Sequence, residues 1–174
     1  MEERVNRSLW IAVIALIALP VASHAQEAYA PLIKIPEGNE NDPEMQMGIM
    51  MLENSTVPDR SAVSQPPYPG AQVLQALDTN PMFDDDDFEP LPFIRLLTTD
   101  EATKVVNFYR EQLSDWTYKE WFGVHIICEG DGEFELMEES GETTPSVTVS
   151  EVESGFYKVM PDAKTEITIR YRGQ

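Results

Sequence analysis

Thr98-Thr99-Asp100-Glu101-Ala102-Thr103-Lys104-Val105-Val106-Asn107-Phe108-Tyr109-Arg110-Glu111-Gln112-Leu113 is the stretch on which the fold turns. Its first four residues have the form of a capping box, in which a hydroxyl and a carboxylate satisfy free backbone donors at a helix start. Ala102, Val105, Val106, Tyr109 and Leu113 then recur at three- and four-residue spacing, which puts them on one helical face. Lys104, Asn107, Glu111 and Ser114 take the opposite side. A helix over about 100–113 with a single apolar stripe needs a sheet or another helix to cover it.

The chain after this helix supplies strand-like runs. They are Tyr118 to Cys128, Glu133 to Glu138, Ser146 to Val152 and Thr165 to Arg172. The last alternates: Ile167, Ile169 and Tyr171 on one side, Glu166, Thr168, Arg170 and Arg172 on the other. Such alternation predicts one buried and one wet sheet face, and antiparallel pairing. Glu129-Gly130-Asp131-Gly132 suits a tight hairpin, and Pro161-Asp162 marks a turn before the final strand.

Upstream, Leu91 to Thr98 reads as a strand and Val73 to Leu77 as a shorter apolar one. The loop between them, Asp78 to Pro90, contains Asp84-Asp85-Asp86-Asp87. Tyr68-Pro69-Gly70 has Pro then Gly at the centre of a turn, the preference of type II. The expected fold is therefore α+β, one amphipathic helix packed on an antiparallel sheet of about five to six strands, within a single domain over residues 66–174.

Residues 26–65 read differently. Pro31, Pro36, Pro43 and Pro58 are mixed with Asn, Glu, Asp and Ser, without strand alternation, which predicts a flexible acidic, Met-rich N-terminal arm. Asp42-Pro43-Glu44 is a local helix start, and a short helix to about Glu53 would carry Met45, Met47, Met50 and Met51.

Residues 1–25 have the form of a secretory signal peptide. Arg4 and Arg7 precede an apolar run from Leu9 to Leu19, then come Pro20 and the small residues Ser23 and Ala25. The run is shorter than the ~20 apolar residues a bilayer span needs. The expectation is cleavage after Ala25 and a periplasmic or extracellular protein with no membrane insertion afterwards. No cysteine lies near that point to carry a lipid anchor. Glu2 and Glu3 offset Arg4 and Arg7, so the cleaved chain keeps the full chain's net charge of −19. That balance repels nucleic acid, whose binding rests on basic residues neutralising phosphates.

Pro66-Pro67-Tyr68-Pro69-Gly70-Ala71, the helix Val105-Val106-Asn107-Phe108-Tyr109-Arg110-Glu111-Gln112-Leu113 with Trp116 beyond it, and the closing strand Thr165 to Tyr171 carry a resemblance. Together they resemble an uncharacterised family of small exported bacterial domains with a P-x-Y-P-G-A opening, a V-x-x-F-Y-x-x-x-L helix and a T-x-I-x-I-x-Y closing strand. Asp115 stands where those domains usually have Gly before the Trp, and the acidic loop is long for them. The resemblance implies an exported domain and no catalytic residues.

Candidate chemistry is sparse. Cys128 is the sole cysteine, which excludes an intrachain disulfide. Read as one strand, 118–128 puts Cys128 on a face with Phe122, Val124 and Ile126, and His125 on the other with Trp121 and Ile127. A Cys–His dyad needs both groups within hydrogen-bond reach, so none is expected. Met45-x-Met47-x-x-Met50-Met51 offers soft thioethers suited to Cu(I), with Met47, Met50 and Met51 able to converge on a helix. The simpler reading is an amphipathic turn that docks on protein. Four consecutive Asp at 84–87 lack the Gly of a calcium loop and read as a solvated loop. There is no G-x-S-x-G, no H-E-x-x-H, no phosphate loop and no dinucleotide fingerprint. The expectation is a non-catalytic exported module that binds an unknown protein or small ligand, with no metal and no cofactor. Cu(I) binding through Met47, Met50 and Met51, or an unrecognised hydrolase, is the alternative.

Overall fold

The computed structural model describes residues 28–35, 43–78, 90–130, 139–152 and 159–173. In chain order its elements are helix α1 (Pro43–Glu53), a 3-10 turn (Arg60–Ala62), strands β1 (Gln72–Leu77) and β2 (Phe93–Thr98), helix α2 (Ala102–Gln112), strands β3 (Thr117–Trp121) and β4 (Val124–Cys128), the short helix α3 (Glu139–Thr143), and strands β5 (Ser146–Glu151) and β6 (Thr165–Arg170). The six strands form one sheet in the order β1-β2-β6-β5-β4-β3, and every neighbouring pair is antiparallel. The expected α+β class, one amphipathic helix packed against an antiparallel sheet, is what the chain forms.

Register explains the core. Leu96 faces Ile167 and Ile94 faces Ile169 across β2 and β6. Val149 and Val147 continue the same two rows on β5, and Ile127 extends the second row onto β4. These branched side chains stand on one side of the pleat, where such residues pack well. α2 lies over them with Val105, Val106 and Tyr109 buried, the stripe read from the sequence. Tyr29, Val63, Tyr68 and Tyr171 close the rim of this layer.

The opposite sheet face was expected to be wet, and the structure corrects this in two places. Leu74 and Leu97 are covered by Met45 and Leu52 of α1, together with Ile33 and Val159. Farther along, the Arg170 guanidinium reaches the Glu142 carboxylate of α3 at 2.5 Å. Thr168 and Ser146 on this face are buried.

The arm expectation is corrected with it. Residues 28–35 and 43–65, read as flexible, are packed. Ile33 N–H donates to Val73 C=O at 2.8 Å, and Leu32 forms a parallel bridge with Val73. Tyr29 Oη–H donates to Gln65 C=O at 3.0 Å, while the buried Gln65 amide donates to Arg170 C=O at 2.9 Å. Thr56 N–H donates to Ala76 C=O at 3.1 Å. Average composition hid these anchors because they are few and widely spaced. Each apolar anchor that is buried contributes about 1.5–3 kcal/mol, enough to hold a short segment.

The capping box does not form. Glu101 is the residue ahead of α2, and no side chain caps the helix. Asp100 instead gathers neighbours: its N–H donates to Thr98 Oγ1 at 3.2 Å, and its carboxylate accepts from Tyr68 Oη and Lys104 Nζ, both at 2.8 Å. Thr165 Oγ1 donates to Asp100 C=O at 2.6 Å. Tyr68 opens the expected Pro-Gly turn, in which Ala71 N–H donates to Tyr68 C=O at 3.1 Å and Gly70 takes φ +78°. These contacts tie that turn to the start of α2 and of β6. The hydrogen bond from Lys104, then that from Tyr68, holds the Asp100 carboxyl below its ordinary range.

Candidate functional site

The run 118–128, expected to be one strand, is a hairpin. β3 pairs with β4 from Thr117↔Cys128 to Trp121↔Val124, leaving Phe122 and Gly123 as a two-residue turn. Both have positive φ, 47° and 80°. That is the type I′ pattern, for which Asn-Gly is the favoured pair. A left-handed conformation costs an ordinary L-residue about 1–2 kcal/mol, and a bulky residue there is an outlier. Phe122 therefore does nothing for the turn that Asn would not do better. It is 90% exposed, and its ring meets that of Trp121, itself 47% exposed, edge-on at 4.9 Å. The turn presents two large aromatic side chains to solvent.

Behind the tip, on the face that α2 covers, the pairing of β3 with β4 brings Tyr118, Glu120 and His125 together. Tyr118 Oη lies 2.9 Å from His125 Nδ1 and 3.3 Å from Glu120 Oε2, and His125 Nδ1 lies 3.8 Å from the same carboxylate. The Tyr118 and His125 rings stack, and the Arg110 guanidinium of α2 sits 4.6 Å above the Tyr118 ring. Burial, then the charge of Glu120, pushes the Tyr118 hydroxyl above its ordinary range, so it acts as a neutral donor. This polar cluster fixes β3 on β4 and α2 and so sets the direction in which the tip points.

The other sequence candidates fall elsewhere. Cys128 is buried with Val124 and Ile126 as expected, its thiol 3.7 Å from Thr117 C=O. It stands on the opposite side of β4 from His125, so the two form no dyad. Phe122 and Trp121 were misplaced by the one-strand reading: Phe122 is in the turn, and Trp121, opposite Val124, shares a face with Cys128 and not with His125. Met45 is 2% exposed and packed inward, whereas Met50 is 54% exposed. The side chains of Met47 and Met51 lie outside the described residues. So do residues 1–25, the strand expected at 133–138 and the run Asp84-Asp85-Asp86-Asp87. Among the described residues no three His, Cys, Asp or Glu side chains converge as metal ligands, and no helix is long and apolar enough to cross a membrane.

A cleft of about 740 Å3 lies between the segment Ala28 to Lys34, the turn Pro67 to Gln72 and the turn Val159 to Asp162. Leu32, Ile33, Tyr68 and Val159 give it an apolar lining. Its polar side chains Lys34, Gln72, Thr99 and Asp162 are exposed, and its one phenol is engaged by Asp100.

No protein-family model matches the chain, and no curated protein and no solved structure matches it. The site is thus read from its own geometry. Sequence reasoning missed the tip, although a signal was present. Eleven residues are long for a strand, and Gly123 near the middle of such a run is the punctuation of a turn.

Proposed function

We propose that this protein is an exported, non-catalytic binding module that docks onto a partner through the Trp121–Phe122 tip of the β3–β4 hairpin. The observation that carries the reading is Phe122 itself: a large apolar ring, 90% exposed, held in a left-handed turn position. Both features work against the fold, and strained backbone concentrates at sites of function. Tryptophan is enriched among the few residues that dominate binding energy, and a rigid aromatic loses little conformational entropy on docking. The hairpin supports the tip through the Tyr118–His125–Glu120 contacts and the Arg110 stack. Export rests on residues 1–25 and on the resemblance of Pro66–Ala71, Val105–Leu113 and Thr165–Tyr171 to small exported domains.

The test is site-specific photo-crosslinking in the source cells. A photoreactive phenylalanine analogue at position 122 is expected to give a discrete crosslinked species. The same analogue at Asn107, exposed on α2, serves as the control and should give none. Equal patterns from the two positions, or no adduct from 122, would remove the tip as a docking site.

A further inference from the structure

We infer that the surface receiving this tip is a basic protein surface, with arginine or lysine side chains around an apolar pocket that takes Trp121 and Phe122. The inference rests on the docking role proposed for the tip and adds the chemistry of the partner. Two carboxylates lie beside the aromatic turn, both on the sheet face that α2 covers, the opposite face from Trp121. Glu120 is adjacent to Trp121 on β3, and its side chain is 59% exposed. Glu151 is exposed at the end of β5. Val149 faces His125, so Glu151, two residues on, falls level with Gly123 and the turn. Lys119, the one cation on the hairpin strands, shares Trp121's face and is half-buried. The whole chain carries a net charge of −19.

A basic partner gains twice from this arrangement. Long-range attraction steers the encounter, and the carboxylates on the α2 side of the turn orient it. At contact, a guanidinium or ammonium over an indole or phenyl face is attracted by the ring's electron-rich face, more strongly as water is excluded. Anionic lipid and nucleic acid are repelled by the same charges. Strand addition at the free edge of β3 is a poorer mode. Trp121 pairs with Val124 across a two-residue turn, so only Tyr118 and Glu120 direct backbone groups away from β4, and Lys119 blunts the edge. The tip, not the edge, is the part built for contact.

The test uses the full chain and three probes: a short peptide of alternating arginine and leucine, its glutamate-for-arginine counterpart, and phosphatidylcholine vesicles. The reporter is the indole N–H resonance of Trp121, assigned by its loss in Trp121→Thr. The arginine peptide should shift this resonance. Phe122→Asn should weaken the binding about thirtyfold or more, the size of a hot-spot loss. Glu120→Gln with Glu151→Gln, or added salt, should weaken it as well. The inference is overturned if the arginine peptide leaves the resonance unmoved, if the glutamate peptide binds equally well, if vesicles shift the signal instead, or if Phe122→Asn binds unchanged. A crosslink at position 122 that survives both high salt and the glutamine pair would keep the docking role and remove the basic partner.

Discussion

Met45→Ala separates the packed segment seen in the structure from the flexible arm that composition suggests. Met45 is 2% exposed and is seated with Ile33, Leu52, Leu74, Leu97 and Val159 beneath the sheet. Truncation removes the thioether arm and leaves a cavity that α1 fills incompletely. Met→Ala changes in cores cost about 2–5 kcal/mol. For a chain of this size each kcal/mol lowers the thermal midpoint by about 2–4 °C, so a mid-range loss of ~3 kcal/mol corresponds to roughly 6–12 °C. Met50→Ala, on the same helix but 54% exposed, should stay within about 0.5 kcal/mol. Circular-dichroism melts of the two variants beside the parent decide the matter. Equal midpoints for Met45→Ala and Met50→Ala would refute the reasoning and return residues 43–53 to the status of a dispensable arm.

The helix on the other face gives a second pair. Val106 is 4% exposed against the sheet, so Val106→Asp buries an unpaired carboxylate and should cost several kcal/mol, on the order of 3 or more. Asn107→Asp, one residue along and exposed, should stay within about 0.5 kcal/mol. Chemical denaturation of both checks the assignment of the face. Asp100 predicts the acid behaviour. Its carboxyl lies below the ordinary 3.8 in the folded chain because Lys104 and Tyr68 donate to it. The stability it contributes is present in full above its unfolded value and is lost as pH falls through the lower folded one. Asp100→Asn should lower the neutral-pH midpoint and flatten its decline below about pH 4, and melts across that range would show it. A variant whose acid limb matched the parent's would mean that Asp100 does not couple folding to protons.

What the sequence disclosed and what it hid follow from the range of each signal. The stripe Val105, Val106 and Tyr109 and the alternation Ile167, Ile169 and Tyr171 are local periodicities, and both faces are where those periods put them. The Pro-Gly turn at 69–70 is likewise local, with Gly70 at φ +78°. The capping box failed although its pattern was present: the Glu101 carboxylate pairs with Lys164, 63 residues away, and Asp100 beside it is held by Tyr68 and Thr165, 32 and 65 residues away. No short window contains those contacts. The packing of Tyr29, Ile33 and Met45 was hidden for the same reason: single anchors in a polar segment carry no period. The aromatic tip was hidden by one misread glycine. With Gly123 taken as a strand residue, Phe122 shared a face with Cys128. With Gly123 in the turn, Phe122 projects into solvent, and the pairing that follows brings Tyr118, Glu120 and His125 together.

Phe122→Asn measures the central claim most directly, because it alters docking and folding in opposite directions. Asparagine suits the left-handed turn position that phenylalanine strains, so relief of about 1–2 kcal/mol is set against loss of the exposed ring contact with Trp121, worth about 0.5–1.5 kcal/mol. The account predicts a thermal midpoint equal to or above the parent's, together with loss of partner binding at the hairpin. A variant that bound as the parent does, or one that unfolded at a clearly lower temperature, would contradict it and make Phe122 a residue of the fold and not of the contact.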